Sequence, residues 1–407
     1  MTTYRRINVT SGRPLEPLTH YSRALRVDNR VLLSGSTAID RSGKVIGEGD
    51  IVRQVDAIME LAQHYMGLAG GRIDDIVRSR IYVTDIALGD AAARALARYF
   101  RDIRPAATLV QINRLARPTQ LIEIEFEAVD GAKDNAQRVF SGRAIEDEYG
   151  YCRAVRVDDR VFIAGTTALS PEGQIVGAGD MYTQTRATLD TILAALDELG
   201  GVPGDLVNTK TFVTDLGASN PYFQAFMETL NGIHPTSTLL GIPALIRPEM
   251  QVEIETDAII GAATQRQEIF TAQQREKVRG YARAVAVGDW VYVSGCTSLS
   301  AAGDVQAVGD WAAQYDLCHE TIQWALEQAG ARLDDVISRR TFTIDRAQPN
   351  RLYGEGPAWF ANSWTISMGC RVAGLAHPEL LVEVEATALK GAHAGIEWLA
   401  PANDPLC

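Results

Sequence analysis

The chain has 407 residues, 46% of them hydrophobic and 22% charged, with a formal net charge of −12. That length allows two to three domains with a substantial core, and the acidic balance, without any cluster of Lys and Arg, excludes the basic footprint that a nucleic-acid partner requires. The N-terminal MTTYRRINVTSGRPL has no apolar signal core and no apolar run reaches transmembrane length, so no membrane partner is expected and a cytoplasmic location is.

Taken in chain order, RRINVTSGR reads as a first strand. YSRALRVDNRVLLSGS, from Tyr21, reads as a strand hairpin, and Gly43 marks the turn after it. Asp50 follows a Gly and precedes the helical pattern IVRQVDAIMELAQHYMGLAG, which places it as a helix N-cap. IYVTD is a further strand, GDAAARALARYF a second helix, and ATLVQI and LIEIEFEAV are the last two strands. In LIEIEFEAV a period of two puts Ile122, Ile124, Phe126 and Ala128 on one face and Glu123, Glu125 and Glu127 on the other. The apolar face is expected against the helices, while a buried carboxylate row needs water or cationic partners.

The same series then recurs twice. Tyr21, Tyr151 and Tyr281 open matching segments spaced by 130 residues, and the register holds without a gap at Gln54, Gln184 and Gln314, at Asp85, Asp215 and Asp345, at Pro118, Pro248 and Pro378, and at Glu123, Glu253 and Glu383. The chain therefore divides into units 1–130, 131–260 and 261–390, with 391–407 as a C-terminal tail outside the pattern. In the third unit Gly354, Gly356 and Pro357 fall within the second helix and are expected to break or kink it. Three such sheets around a common axis would place their acidic rows at the interfaces between units.

The order Y-x-[QR]-A-[VL], then S-G, then G-x6-D…Q, then V-x-D, then a P-A-x-T strand at Pro105, then [LV]-E-[IV]-E resembles the RidA (YjgF-like) reactive intermediate deaminases, three times over and across nearly the whole chain. The resemblance implies an α+β fold of three tandem chorismate-mutase-like (RidA-type) domains forming an intramolecular pseudo-trimer, with ligand clefts between neighbours. It implies catalytic roles for Tyr21, Tyr151, Tyr281, Glu123, Glu253 and Glu383, and a substrate-binding Ser at Ser34 and Ser294, which is Ala164 in the second unit. The family's carboxylate-clamping Arg is replaced in all three units, by Ala107, Ser237 and Ser367. Arg23, Arg153 and Arg283 stand two residues after each Tyr, where the family carries Gln; on an extended strand they share the Tyr face and could offer a guanidinium fork to a substrate carboxylate. The alternative is that they neutralise the acidic row. Arg371, on the same strand face as Ser367, is a further substrate-binding candidate, with a structural role as its alternative.

The leading functional expectation is a Rid-like enzyme that handles a small enamine, imine or related carbonyl metabolite in the clefts between units, with Glu as proton relay and Tyr as donor, in the manner of a biosynthetic tailoring enzyme. A non-catalytic small-molecule-binding or regulatory protein is one alternative, and a chorismate-type lyase or other hydrolase on this architecture is another. A cyclic-amide ring hydrolase would need a Ser–Lys pair in each unit, and Lys210 is matched only by Arg80 and Arg340. Cys296 follows the S-G pair as a candidate nucleophile, but no His matches it, and a small buried thiol is the expectation. Five widely spaced Cys without a C-x-x-C pair and six His in no common register point to neither disulfides, metal nor cofactor. The expected partner is a small-molecule substrate, and the expected assembly is the single-chain ring, alone or as a dimer of rings.

Overall fold

A computed structural model describes residues 4–345, 355–400 and 406. Each unit builds one mixed sheet. In the second unit its order is Thr236–Gly241, Leu206–Val213, Val252–Ile259, Arg160–Thr166, Ala154–Val157, Gln137–Val139. Leu206–Val213 and Thr236–Gly241 run parallel, because the helix Ser219–Leu230 carries the chain back between them; the remaining pairs are antiparallel. The long helices begin where the caps were expected. Asp50, Asp180 and Asp310 each accept a backbone N–H of the first turn. One turn on, the amide of Gln54 spans from helix to loop, donating to Gly47 O and Thr119 O while accepting Leu121 N–H; Gln184 and Gln314 repeat the tie.

Ile122, Ile124, Phe126 and Ala128 pack into the core beneath the helices, as the alternation requires. The opposite sheet faces turn inward. Strand Ala106–Gln111 lies against Arg160–Thr166, Thr236–Gly241 against Trp290–Cys296, and Ile366–Val372 against Arg30–Ser36. Those three contacts close a ring within one chain. Tyr82, Phe212 and Phe342, which share a register position, meet in an apolar cluster drawn from all three units.

The tail corrects the sequence reading. Ile396–Leu399 forms a strand parallel to Arg6–Val9, so the first sheet has seven strands and the two ends of the chain are joined in it. Leu399 stands where Val9, Val139 and Ile269 stand in the 130-residue register, so this segment is a fourth copy of the first strand rather than an addition outside the pattern. Gly89–Phe100 and Ser219–Leu230 are helices in the first two units, whereas Gly356 and Pro357 lie in a non-helical stretch; Gly354 is outside the described residues. Three equivalent short helices, Leu15–Thr19, Ala144–Tyr149 and Gln274–Val278, and a further one at Ala132–Asn135 are additions to the expected element order. Among the described residues no helix is long and apolar enough to cross a membrane.

Candidate functional site

The site begins at a defect in the sheet. Where each unit's hairpin strand pairs with its last strand, the register shifts at Ser34-Gly35, Ala164-Gly165 or Ser294-Gly295, a bulge that brings the Gly under the first Glu of the acidic row. A side chain at Gly35 would collide with Glu123 Oε1, and Gly165 and Gly295 stand in the same relation to Glu253 and Glu383. Only glycine admits the carboxyl there. Each carboxyl sits at a different junction: Glu253 between units one and two, Glu383 between two and three, Glu123 between three and one.

These three carboxyls are buried, and burial pushes each up to about 8. The neighbouring Glu125, Glu255 and Glu385 add to the rise at their respective sites, while Arg23, Arg153 and Arg283 oppose it. Glu253 receives the backbone N–H of Leu109 from the neighbouring unit, whereas Glu383 Oε2 has no hydrogen-bond partner among the described residues. Burial also raises the hydroxyls of Tyr151 and Tyr281, near Glu253 and Glu383 respectively. Tyr21 lies against Arg23, which in turn acts on Glu123. The structure thus brings Tyr, Arg and Glu together in each unit.

The guanidiniums have internal partners. Arg283 Nε donates to Glu276 Oε1 at 2.9 Å and Nη1 to Gly295 O at 2.8 Å. Arg153 Nη1 donates to Gly165 O at 2.8 Å and Thr166 Oγ1 at 2.9 Å, Nη2 to the Tyr151 hydroxyl at 3.2 Å, and Glu146 is 3.6 Å away. Glu16, Glu146 and Glu276 are buried on the three short helices, where each also accepts the N–H and hydroxyl of Ser11, Ser141 or Thr271. The sequence reading missed these carboxylates, although their 130-residue spacing is visible. The Arg therefore sits behind the bulge, bracing Tyr and Gly, rather than presenting an open fork.

Ser34 Oγ donates to Ser22 O and accepts Ser367 N–H, and Ser294 Oγ donates to Ala282 O and accepts Ser237 N–H. Each stitches one unit to the next. Thr108 Oγ1 accepts Gly165 N–H and donates to Glu255 at 2.7 Å, and Thr238 does the same for Gly295 and Glu385. At the third junction the matching residue is Met368, whose Cγ lies over Gly35, so this cleft has an apolar wall where the others have a hydroxyl. Arg371 does not join the Tyr–Glu group; its Nη1 donates to Ile344 O at 2.9 Å. Cys296 is buried with its thiol pushed up to about 11, chiefly by burial, as suits a packing residue rather than a nucleophile.

The rest of the acidic row finds cations on the axis. Arg80 Nε is 2.5 Å from Glu255, Lys210 Nζ 2.6 Å from Glu385, and Arg340 Nε 2.7 Å from Glu125, all across unit boundaries, while Arg340 also reaches its own unit's Glu385 at 3.1 Å and Lys210 its own unit's Glu255 at 3.7 Å. The cations Arg80, Lys210 and Arg340 share one register position, on the strand next to the acidic row. Among the described residues no cluster of His, Cys, Asp and Glu could hold a metal.

Fold and clefts define a class: a single-chain ring of three α+β domains with a buried acid at each junction. The family model for Endoribonuclease L-PSP matches residues 11–130, 141–260 and 271–390, and the chain belongs to this family, the one whose RidA-type motifs it carries. The 3-aminoacrylate deaminase RutC of Acinetobacter baylyi is 34% identical over 120 residues, covering 30% of this chain and 94% of that protein. A Mycobacterium tuberculosis member of the YjgF/YER057c/UK114 family is 33% identical, covering 31% of this chain and 100% of its own, with a TM-score of 0.28. A chorismatase structure covers 77% of this chain and 93% of its own at a TM-score of 0.51 and 14% identity, a likeness of fold alone.

Proposed function

We propose that the protein is an enzyme that adds water to a small imine, enamine or related carbonyl compound in the clefts between units. The observation that carries this reading is the trio of buried carboxyls poised at about 8, each over a bulge Gly and beside a Tyr. An acid with that affinity can both take and return a proton near neutral pH. In the ionised form it would accept a proton as water oxygen bonds to the iminium carbon and the C=N pair moves to nitrogen. Returning the proton to that nitrogen regenerates the carboxylate, which takes the hydroxyl proton as the C–N bond breaks with its pair going to nitrogen. This leaves a carbonyl, ammonia and the protonated acid, which releases the iminium's extra proton to solvent. The relative named as a 3-aminoacrylate deaminase supports this class of chemistry.

The substrate is expected to be neutral or weakly polar, because Ala107, Ser237 and Ser367 replace the clamp and Arg153 and Arg283 are engaged internally. The same observation favours a second reading, a binding protein without turnover. Ammonia release from short-chain imines generated in situ separates the two. Hydrolysis should rise with pH through about 8 as the base forms. Glu123→Gln, Glu253→Gln and Glu383→Gln should lower it unequally, since the junctions differ at Thr108, Thr238 and Met368, with about a hundredfold loss at a working cleft. Rates equal to buffer across the panel would leave the binding reading.

A further inference from the structure

Leu109, Leu239 and Gly369 share one register position, on the strand that each unit lays against its neighbour and two residues after Ala107, Ser237 and Ser367. This position borders the acid, since at the first junction it is the N–H of Leu109 that reaches Glu253. The Leu109 side chain packs against the core beneath the helices of its unit. Leu109 Cδ2 and, from the neighbouring unit, Ile246 Cδ1 both lie over Gly89, at 3.2 and 3.1 Å from the point where a Cβ on it would stand. Two apolar side chains thus close the outer side of that junction. Leu239 is likewise packed, in the core cluster that holds Tyr222 and Phe223.

At the junction of units three and one both closing residues are cut back. Gly369 takes the place of the Leu, and Ala116 stands at the register position of Ile246. Gly369 is the one exposed residue of the strand Ile366–Val372, and a Cβ on it would meet, among the described residues, only Thr341 O at 3.8 Å. Ala116 is exposed as well. The helices Gly89–Phe100 and Ser219–Leu230 have no helical counterpart among the described residues of the third unit. Beside the opening, Met368 Cγ lies over Gly35 where the other junctions have Thr108 and Thr238. The acid is unaltered, because Glu123 lies over Gly35 as Glu253 and Glu383 lie over Gly165 and Gly295. A symmetric homotrimer would repeat such an opening three times, whereas a fused chain can widen one junction and keep the walls of the other two.

We propose that the junction of units three and one takes the bulkiest substrate, an imine or enamine carrying an aryl or similarly large apolar group, and that Gly369 and Ala116 set this preference. The place vacated by a Leu side chain and most of an Ile side chain is comparable to a phenyl ring, and an apolar wall favours burying such a group over a charged one. The substrate preference rests on the clefts hydrolysing imines; the space itself does not.

The full chain is assayed for ammonia release from the imines of acetone and of acetophenone, each generated in situ, and is titrated calorimetrically with acetophenone. In Gly369→Leu the ratio of kcat/KM for the aryl imine to that for the small one should fall about tenfold or more, the scale on which the fit of an apolar pocket discriminates. Ala116→Ile, at an exposed position, should lower the same ratio and stands in should Gly369→Leu not fold. A parent that hydrolyses only the small imine, or a ratio unchanged in both variants, overturns the proposal and leaves cleft hydrolysis standing. If neither imine is hydrolysed, the enzymatic reading falls and acetophenone alone judges the space. One saturable site per chain, weakened about tenfold or more in Gly369→Leu, then upholds the pocket, and binding that is absent up to roughly 10 mM or unchanged in both variants overturns it.

Discussion

Glu253 and Glu255 stand two residues apart on one face of one strand, yet they titrate in opposite directions. Burial pushes Glu253 up to about 8, whereas at Glu255 the charges of Arg80, Lys210 and Arg78 outweigh burial and hold the carboxylate well below its usual range. What differs is whether a cation lies within contact distance, since burial is common to both. Linkage turns this into a pH dependence of stability. The carboxyls of Glu123, Glu253 and Glu383 are raised from 4.5, so their contribution is complete below about 4.5 and is lost as pH rises through about 8. Glu255 and Glu385 are lowered, so theirs is present above about 4.5 and is lost only in acid. Stability should therefore peak near pH 5 and decline toward pH 9, by at most ~4 kcal/mol for each raised carboxyl. Urea unfolding at pH 5, 7 and 9 measures the decline. Replacing all three by Gln, which mimics the neutral acid, should flatten it and leave the variant more stable than the parent at pH 9; a parent profile already flat over that range would contradict buried neutral acids.

At the scale of elements, the stitch between units is a single hydroxyl on the hairpin strand. Ser34 and Ser294 each satisfy one carbonyl of their own unit and one N–H of a neighbouring unit, and Ala164 leaves the junction of units one and two without the equivalent. Ser34→Ala should cost ~1–2 kcal/mol in chemical denaturation, because the Ser367 N–H loses a buried partner. Ala164→Ser should gain about 1 kcal/mol by giving Ala107 N–H the hydroxyl its counterparts have. If Ala164→Ser is destabilising, that junction is packed differently from the other two. Much of this level was legible in the sequence. The caps at Asp50, Asp180 and Asp310, the hairpins and the two faces of LIEIEFEAV follow from local periodicity, and the 130-residue register supplied three units and hence the ring. What the sequence concealed were partners. The Glu16 helix spans five residues, too few to show a period, so the internal mate of each cleft Arg went unseen. The Arg80–Glu255 contact bridges residues 175 apart in different units, and only closure of the ring creates it.

Because all three junctions are satisfied within one chain, light scattering should report the mass of one chain, or of two if rings pair; an obligate trimer of full chains would be incompatible with the closed ring. The axis gives that closure an energetic test. Lys210 is fully buried, 2.6 Å from Glu385 and 3.7 Å from Glu255, and burial works against its charge. Such a cluster is not by itself strongly stabilising, since desolvation offsets most of the attraction, but removing one member strands the others. Lys210→Met should therefore destabilise the whole chain by ~3–5 kcal/mol, far more than the loss of one side chain's packing would explain. Lys210→Arg should be mild, because Arg80 and Arg340 fill the same register position in the other units. Adding Glu385→Gln to Lys210→Met should recover part of the loss, a non-additivity expected of charges in contact. The affected carboxylates belong to different units, so calorimetry should show one cooperative transition moving as a whole. If only the second unit's melting shifted, the units would be neighbours on a string rather than parts of one ring.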